Sequence, residues 1–406
     1  MRTIHASFVL VILAFATAGM PSVFAQSSHD FLIKGVVKEA KGDYDGSIVE
    51  LSEAIKLKPD YAEAYGLRGI ARWAKGDFDG AIADYDKAIK LQPNNAGDFN
   101  GRGLAKRDKG DLDGAIADYN EAIRLKPSDA AAFDGRGSVK KAKANLDGAV
   151  ADYNEAIRLD PKNVPAFTNR GLAKYAKGDL DGAIADYNEA IRLNPNYSQA
   201  CNNRGNVLLD KGDFVGALVD YTEAIRLDPK YAEAYYNRAG AKRRRGDSDG
   251  AIADLNNAIR LKPKDPDAYN NRGFSRQDKG DLDGAIADYS EAIRIAPSDA
   301  VPYNSRGNVR RMKGDLNGAM ADLNEAIRLN PNYAHAFNNR GRTKSAKGDL
   351  DGAIADYNEA IRLDPKYANA YFNRAVAKKA KKDFSGAKAD YAEAVSLDPK
   401  LRRNKN

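Results

Sequence analysis

The sequence predicts an all-α protein in which pairs of helices stack along the chain as a solenoid. One observation is that identical residue types recur at fixed places of a 34-residue period. A unit of this length cannot bury its apolar face alone and must stack on its neighbours. The other observation is a proline at the same place of the period in eleven copies without insertion: Pro59, Pro93, Pro127, Pro161, Pro195, Pro229, Pro263, Pro297, Pro331, Pro365 and Pro399.

Each repeat is predicted to contain two helices. If the proline is repeat position 32, position 4 is aromatic in all copies except at Cys201, position 8 is Gly or Ala, position 24 is Tyr or Leu, and position 27 is Ala. These are the expected core positions of a first helix over positions 2 to 14 and a second helix over positions 18 to 31. Glycine at position 15 suits the left-handed end of the first helix, and aspartate at position 16 suits the N-cap of the second. Ala144 and Lys382 replace that glycine, so we expect weaker turns there.

This pattern of an aromatic, a small residue, a turn, alanines around an aromatic and a closing proline resembles the tetratricopeptide repeat (TPR) family. The resemblance covers about nine tenths of the chain. It implies two antiparallel helices per repeat, stacked as an alpha-alpha solenoid in a right-handed superhelix whose concave groove is lined by the first helices. The predicted repeats within 28–399 are 28–61, 62–95, 96–129, 130–163, 164–197, 198–231, 232–265, 266–299, 300–333, 334–367 and 368–401.

The two ends of the chain differ from the repeats. Residues 1–25 contain Arg2, an apolar run from Phe8 to Ala18, and small residues that end at Ala25, which predicts a cleaved secretory signal peptide. The apolar run is too short for a membrane span. We therefore expect the mature chain outside the cytoplasm, in a bacterial periplasm, without a membrane span. Residues 402–406 are predicted to be a basic disordered tail.

Charged columns run through the repeats. Position 11 is basic except at Leu208, and position 23 is acidic in every copy, from Glu50 to Asp390. Positions 7 and 11 lie four residues apart, on one face of the first helix. We expect an ion-pair ladder between the two helices of each repeat; in the alternative, the basic column is exposed and binds nucleic acid through its phosphates. Position 7 is Lys34 and then Arg68, Arg102, Arg136, Arg170, Arg204, Arg238, Arg272, Arg306, Arg340 and Arg374.

Candidate catalytic or metal-binding residues are few. The chain has three histidines and one cysteine, too few for a histidine or cysteine metal cluster or a triad. The string at Asp111 to Gly114 resembles part of a calcium loop, but Lys109 stands where a further oxygen ligand is needed. We expect no cofactor and no enzymatic activity. Cys201 should behave as a small buried hydrophobe that leaves its joint underfilled.

The resemblance implies that positions 2, 5, 6, 9, 12 and 13 line the concave groove. Its N-terminal mouth is apolar, with Leu32, Ile33, Val36, Leu67, Ile70 and Trp73. Arg243, Arg244 and Arg311 would attract acidic groups. Further along, an asparagine column resembles the ladder by which some TPR superhelices hold the backbone of an extended peptide. It comprises Asn169, Asn202, Asn203, Asn237, Asn270, Asn271, Asn304, Asn338, Asn339 and Asn373.

The predicted function is that of a non-enzymatic scaffold that binds an extended, partly acidic protein segment in this groove. One alternative concerns the groove itself: the asparagines are soluble filler inherited by duplication, and the apolar mouth is covered by residues 26–31. A second alternative is a self-associating structural component of an envelope assembly. It would pair through the uncapped last helix, which carries Tyr391 and Val395. An enzyme or a nucleic-acid binder is disfavoured.

Overall fold

The structure, a computed structural model, describes residues 27–403, and within them it is all-α. The predicted signal peptide and residues 404–406 lie outside the described residues. Between residues 27 and 403 there are twenty-two α-helices and no strand, which confirms the predicted fold class. The helices are α1 (Ser28–Ala40), α2 (Tyr44–Leu57), α3 (Ala62–Ala74), α4 (Phe78–Leu91), α5 (Ala96–Lys109), α6 (Leu112–Leu125), α7 (Ala130–Ala142), α8 (Leu146–Leu159), α9 (Val164–Ala176), α10 (Leu180–Leu193), α11 (Ser198–Asp210), α12 (Phe214–Leu227), α13 (Ala232–Arg244), α14 (Ser248–Leu261), α15 (Pro266–Asp278), α16 (Leu282–Ile295), α17 (Ala300–Met312), α18 (Leu316–Leu329), α19 (Ala334–Ala346), α20 (Leu350–Leu363), α21 (Ala368–Ala380) and α22 (Phe384–Leu397), followed by a 3₁₀-helix (Pro399–Arg403).

The helices begin and end one residue earlier than predicted, except that α5 ends at Lys109 as expected, because their caps fix the boundaries. The Asp77 side chain accepts a hydrogen bond from the Gly80 N–H at 2.9 Å and so caps the start of α4. Gly76, just before it, has a φ of 83°. Ala144 and Lys382 keep the left-handed turn with φ values of 59° and 67°, although a side chain there strains the backbone. Both turns therefore have the same left-handed backbone geometry as the glycine turns, together with local backbone strain.

The chain divides into two compact units between Val207 and Leu208, inside α11. In each unit the second helix of a repeat packs against its own first helix and against the first helix of the next repeat. First helices also contact one another directly, as α3 and α5 do in the first unit and α17 and α19 do in the second. The first helices therefore form one continuous side of each unit, which we name the inner face.

The largest buried side chains of the core are tyrosines held between first helices. Tyr153 is fully buried, and a Cβ built on Gly137, in the first helix of the same repeat, would stand 2.8 Å from its ring. Tyr119 meets the next repeat in the same way, since a Cβ on Gly135 would lie 2.6 Å from its ring. The predicted core role of positions 8 and 24 is confirmed. Glycine is needed at 135 and 137 because a tyrosine ring occupies the space that a side chain would take there.

The position-4 aromatics are less buried than the core prediction implied. Most of them are half-buried, and the guanidinium of the position-7 arginine covers the exposed ring face. The centre of the Arg136 guanidinium lies 5.3 Å from the ring centroid of Phe133, for example. This distance is typical of a cation–π contact. The arginine column therefore shields apolar surface as well as carrying charge.

The C-terminal end corrects one prediction. Arg402 and Arg403 were expected to be disordered, but they belong to the 3₁₀-helix Pro399–Arg403. The Asp398 carboxylate accepts from the Lys400 N–H at 3.0 Å, and Leu401 is 9% exposed. Leu401 occupies position 34, where five of the ten earlier repeats have a tyrosine, and the 3₁₀-helix packs on α22. Phe384, at the start of α22, remains 65% exposed.

Candidate binding surface on the first helices

The predicted ion-pair ladder is present in both units. Arg68 Nε donates to Asp84 Oδ2 at 2.9 Å, and its Nη2 donates to Oδ1 at 2.6 Å. Arg72 Nη1 lies 2.9 Å from the same carboxylate, which is buried. Because these arginines are engaged within the repeats, the exposed basic column required for nucleic-acid binding does not exist at position 7. The same pairing joins Arg102 to Asp118, Arg136 to Asp152, Arg170 to Asp186, Arg238 to Asp254, Arg272 to Asp288, Arg306 to Asp322, Arg340 to Asp356 and Arg374 to Asp390.

The ladder also links neighbouring repeats, which the sequence reasoning missed. Arg102 Nη1 donates to Asp86 of the preceding repeat at 2.6 Å, and Arg136 Nη1 donates to Asn120 at 2.6 Å. The acceptor is always at position 25. Each of the first ten repeats has a residue with a side-chain oxygen at that position. This regularity is the sequence feature from which the contact could have been predicted. One guanidinium thus joins three helices.

The asparagine column mainly joins one repeat to the next. Asn339 Nδ2 donates to Asn304 Oδ1 at 2.9 Å, and Asn373 Nδ2 donates to Asn338 Oδ1 at 2.9 Å. Asn304 and Asn338 donate in turn to junction tyrosines at 3.3 and 3.2 Å. In the first unit Asn169 Nδ2 donates to Asp134 Oδ1 at 3.0 Å. Position 6 therefore bonds to position 5 of the preceding repeat.

Burial corrects the binding prediction for three of these residues. Asn202, Asn304 and Asn338 are 0%, 8% and 2% exposed, so a ligand cannot reach them. Their amides lie inside the contact between repeats. The remaining asparagines, Asn203, Asn237, Asn270 and Asn271 among them, are half-buried and keep a surface on the inner face.

One residue of the predicted apolar mouth belongs to the core, and the other five are half-buried. Leu32 is 2% exposed and packs with Leu51, so its assignment to an open surface is wrong. Ile70 and Trp73 pack on a cluster of buried residues in α4 and α5, and the Trp73 Nε1–H donates to Asp108 Oδ2 at 2.8 Å. The patch is also lined by Val36 and Leu67, which pack on the Leu32 cluster, and by Ile33, which is half-buried. These five side chains keep part of their surface exposed.

The inner face of the first unit carries buried carboxylates. Asp98 is 7% exposed and accepts from Asn95 Nδ2 at 2.8 Å; burial raises the pKa of Asp98 to about 6. Burial likewise raises the pKa of Asp134 and lowers the pKa of Lys141. In each case the charged form is disfavoured by loss of hydration.

The inner face of the second unit has a pocket. Its volume is about 280 Å³, and its floor and walls include Leu209, Tyr236, Ala239 and Leu255. Gly240 opens the pocket, since a Cβ built there would meet no atom within 4 Å. The rim is polar: four of the residues predicted to bind a partner converge there, namely Asn237, Arg243, Arg244 and Asn271.

Two contacts fix the wall of this pocket. Asn271 Nδ2 donates to the Tyr236 hydroxyl at 2.6 Å, which joins α15 to α13. Arg243 Nε donates to Asp278 Oδ2 at 2.6 Å, and its guanidinium lies 5.1 Å from the Phe274 ring centroid. Arg244 is exposed and forms no ion pair with any residue between 27 and 403. It is therefore the rim charge that is available to a ligand.

Comparison with protein families agrees with this geometry. Models of the tetratricopeptide repeat match residues 34–96 and 368–401, and a TPR repeat model matches overlapping segments between residues 103 and 382. The chain belongs to the tetratricopeptide repeat family. Such proteins typically mediate protein–protein interactions as non-enzymatic scaffolds.

Solved TPR structures are similar to this chain at low sequence identity. The crystal structure of the APC/C hetero-tetramer Cut9-Hcn1 is 16% identical, covers 98% of this chain and 92% of that chain, and superimposes with a TM-score of 0.51. A tetratricopeptide repeat protein from Parabacteroides merdae is 22% identical over 61% of this chain and 98% of that chain, with a TM-score of 0.48. YrrB, a TPR protein described as having an unusual peptide-binding site, is 25% identical over 44% of this chain and 92% of that chain, with a TM-score of 0.37. No curated protein gives a significant match.

The acidic strings of this TPR chain have structural roles. Asp111 caps α6 by accepting from the Gly114 N–H at 2.9 Å, and Asp113 pairs with Lys143 of the next repeat. In the part of the chain that the structure describes, no group of three His, Cys, Asp or Glu side chains is placed to hold a metal. No helix in residues 27–403 is long and apolar enough to cross a membrane.

Proposed function

We propose that the mature chain is a non-enzymatic scaffold that binds an extended protein segment on the inner face of its first helices. The observation that carries the proposal is the pocket at Gly240. Four of the residues predicted to bind a partner surround it, together with the apolar side chains of Leu209 and Leu255. A concave site that combines apolar side chains with convergent polar groups is the usual form of a recognition site.

The size of the pocket indicates what enters it. Sites for small molecules and cofactors measure about 300 to 1,000 Å³, and this pocket measures about 280 Å³. It therefore suits one large side chain of a bound segment better than a separate small molecule. Arg243 and Arg244 at the rim favour acidic residues next to that side chain, because guanidinium groups bind carboxylates strongly.

A substitution at Gly240 tests the proposal without harming the fold. Gly240→Phe fills the pocket, and no atom stands in the path of its Cβ. Gly240→Ala is the matched control: it leaves most of the pocket open and stabilises the helix by about 1 kcal/mol, because alanine has the higher helix propensity. We expect affinity capture with crosslinking to recover a partner with the wild type and Gly240→Ala, and to recover little with Gly240→Phe. Equal capture by all three proteins would refute the pocket as the site.

The location outside the cytoplasm is part of the proposal and rests on the predicted signal peptide. Cleavage after Ala25 leaves Gln26 as the first residue of the mature chain. Cell fractionation followed by N-terminal sequencing is the test. A chain recovered in the cytoplasm with its leader intact would contradict this location.

Self-association is a second candidate that one observation favours. In earlier repeats the position-17 side chain packs against the next first helix, as Leu180 does beside Val207. At the end of the array Phe384 occupies this position and is 65% exposed, and Val376 is 53% exposed. If these side chains form an interface between copies, sedimentation velocity should show a concentration-dependent oligomer that Phe384→Asp abolishes. A wild-type monomer at all concentrations would exclude it.

A further inference from the structure

Helix α12 carries two exposed valines at places where most other repeats have a polar or a smaller residue. Val215, at repeat position 18, is 62% exposed, and Val219, at position 22, is 63% exposed. The other ten repeats have Asp, Asn or Ser at position 18, and nine of them have Ala at position 22. Residues four apart lie on one face of a helix, so the two valines form a single apolar patch. This patch occurs once in the array, because no other repeat has an apolar residue at position 18.

Val215 also removes an ion pair that other repeats make. In most repeats the side chain at position 18 pairs with the lysine at position 14 of the next repeat, as Asp79 does with Lys109 at 2.5 Å. The residue at that place after Val215 is Arg245, which is exposed and forms no ion pair with any residue between 27 and 403. The repeat geometry therefore sets an unpaired arginine beside the first valine of the patch.

A carboxylate stands at the other end of the patch. Glu223 follows Val219 by four residues, as Val219 follows Val215, so both neighbours lie about 6 Å along the helix axis from Val219. Glu223 pairs with Arg226 at 2.7 Å, and the two side chains are 40% and 66% exposed. An exposed pair of this kind contributes little, so Glu223 can exchange it for another cation. The patch thus has an apolar centre, a cation at one end and an anion at the other.

We propose that this patch binds the same patch of a second copy of the chain, with the two α12 helices antiparallel across a twofold axis at Val219. A twofold contact requires a self-complementary surface. Antiparallel pairing sets Val219 against its counterpart, and it sets Glu223 of each copy opposite Val215 and Arg245 of the other. Each Arg245 then gains the carboxylate that Val215 does not supply. The inference goes beyond the proposed function, since neither the inner face nor the surface at Phe384 takes part.

The contact is small, so the dimer should be weak and reversible. One helix of each copy forms most of it, whereas a stable interface buries roughly 800 Å² per partner. We expect a dissociation constant on the order of 10 to 100 μM. Sedimentation velocity over protein concentrations that span this range should show a monomer–dimer equilibrium. Phe384→Asp should leave this equilibrium unchanged, which separates it from association through the end of the array.

Val215→Asp tests the apolar patch without harming the fold. It introduces the residue that eight of the other repeats have at position 18, so it should pair with Arg245 within the chain and keep the thermal midpoint equal or higher. The dimer should become at least about tenfold weaker, because an aspartate would be desolvated in the contact and Arg245 would already be paired. Asn317→Asp makes the same charge change at the same repeat position in another repeat, and it is the matched control.

A cysteine at position 219 tests the twofold axis. Val219→Cys should form a disulfide-linked dimer in oxidised glutathione, because the residue faces its own counterpart. Val49→Cys is the matched control, since Val49 has the same repeat position and is 60% exposed. The native Cys201 is 2% exposed and should not react.

Charge reversal tests the antiparallel arrangement. Arg245→Glu and Glu223→Arg should each weaken the dimer about tenfold, because each change acts twice in a symmetric dimer. The double variant should recover most of the loss, since it restores opposite charges across the axis.

Four results would overturn the inference. The wild type could remain monomeric at all concentrations, as it would if a different protein covered the patch. Val215→Asp could dimerise as tightly as the wild type, or Val219→Cys could crosslink no more than Val49→Cys. The double charge variant could also dimerise no more tightly than the two single variants.

Discussion

Replacing Asp98 by alanine should stabilise the first unit at neutral pH. Asp98 occupies repeat position 3, where neighbouring repeats have the buried alanines Ala64 and Ala132. Its Oδ1 lies 2.7 Å from the point where a Cβ on Gly66 would stand, so the carboxylate is wedged between two first helices. Apart from Asn95, no side chain between residues 27 and 403 forms a hydrogen bond to it.

The size of the effect follows from the pKa. Burial raises the pKa of Asp98 from 3.8 to about 6, and each unit corresponds to about 1.4 kcal/mol. The difference of roughly two units sets an upper bound of about 3 kcal/mol, and partial hydration of the carboxylate reduces it to about 1 to 2 kcal/mol. Because the pKa of this acid is raised by folding, the folded chain binds the proton more tightly than the unfolded chain. Stability therefore falls as the pH rises from about 4 to 6, and the penalty is constant above pH 6.

Urea unfolding and hydrogen exchange of the α5 amides at pH 7.5 and pH 4 measure this effect. Asp98→Ala should be the more stable protein at pH 7.5, with slower exchange in α5, and the difference should largely vanish near pH 4. Asp60→Ala removes an exposed carboxylate and serves as the control for the change in net charge. An equal difference at both pH values would show that packing, not ionisation, separates the proteins. No gain at pH 7.5 would refute the reasoning.

Three further predictions concern stability. Asp186→Lys should destabilise its repeat by about 3 to 5 kcal/mol, because it leaves buried cations without a partner; adding Lys174→Asp should recover part of the loss, and no recovery in the double-mutant cycle would contradict direct pairing. Ala144→Gly and Lys382→Gly should each raise the free energy of unfolding by about 1 kcal/mol by relieving left-handed strain, and unchanged denaturation midpoints would contradict this. Cys201→Phe should slow hydrogen exchange around its helix, because a ring there would add a cation–π contact of about 0.5 to 1 kcal/mol; faster exchange would show that the ring does not fit.

The parts of this structure that sequence could predict are those fixed by local chemistry. The period sets the helix pairs, the aspartate before each second helix sets its start, and oppositely charged columns predict the ladder. Charge complementarity made the pairing of Arg170 with Asp186 predictable, since each column had one partner column of opposite sign. The third contact of the ladder arginines, to position 25, was missed because that column is polar but, apart from Asp86, uncharged.

The residues that line the groove were harder to predict, because two adjacent repeat positions differ in burial. Asn338 and Asn339 are neighbours in sequence, yet Asn338 is buried while Asn339 is half-buried and donates to the preceding repeat. Which of them faces solvent depends on the angle between successive first helices. The 34-residue period of the sequence does not determine that angle. Leu32 was misplaced for the same reason, since it lies on the side of α1 that turns toward Leu51.

Departures from the repeat are where function is best sought, but only when the surroundings do not compensate for them. Ala239 replaces the usual glycine at position 8, and a smaller leucine, Leu255, replaces the tyrosine that would otherwise meet it. The smaller Leu255 compensates for the added methyl group of Ala239, so this departure concerns core packing. The buried Arg311 Nε is the contrasting case, since it has no acceptor in the described part of the chain. Because a buried donor without an acceptor costs free energy, the surroundings of Arg311 are less well compensated than those of Ala239.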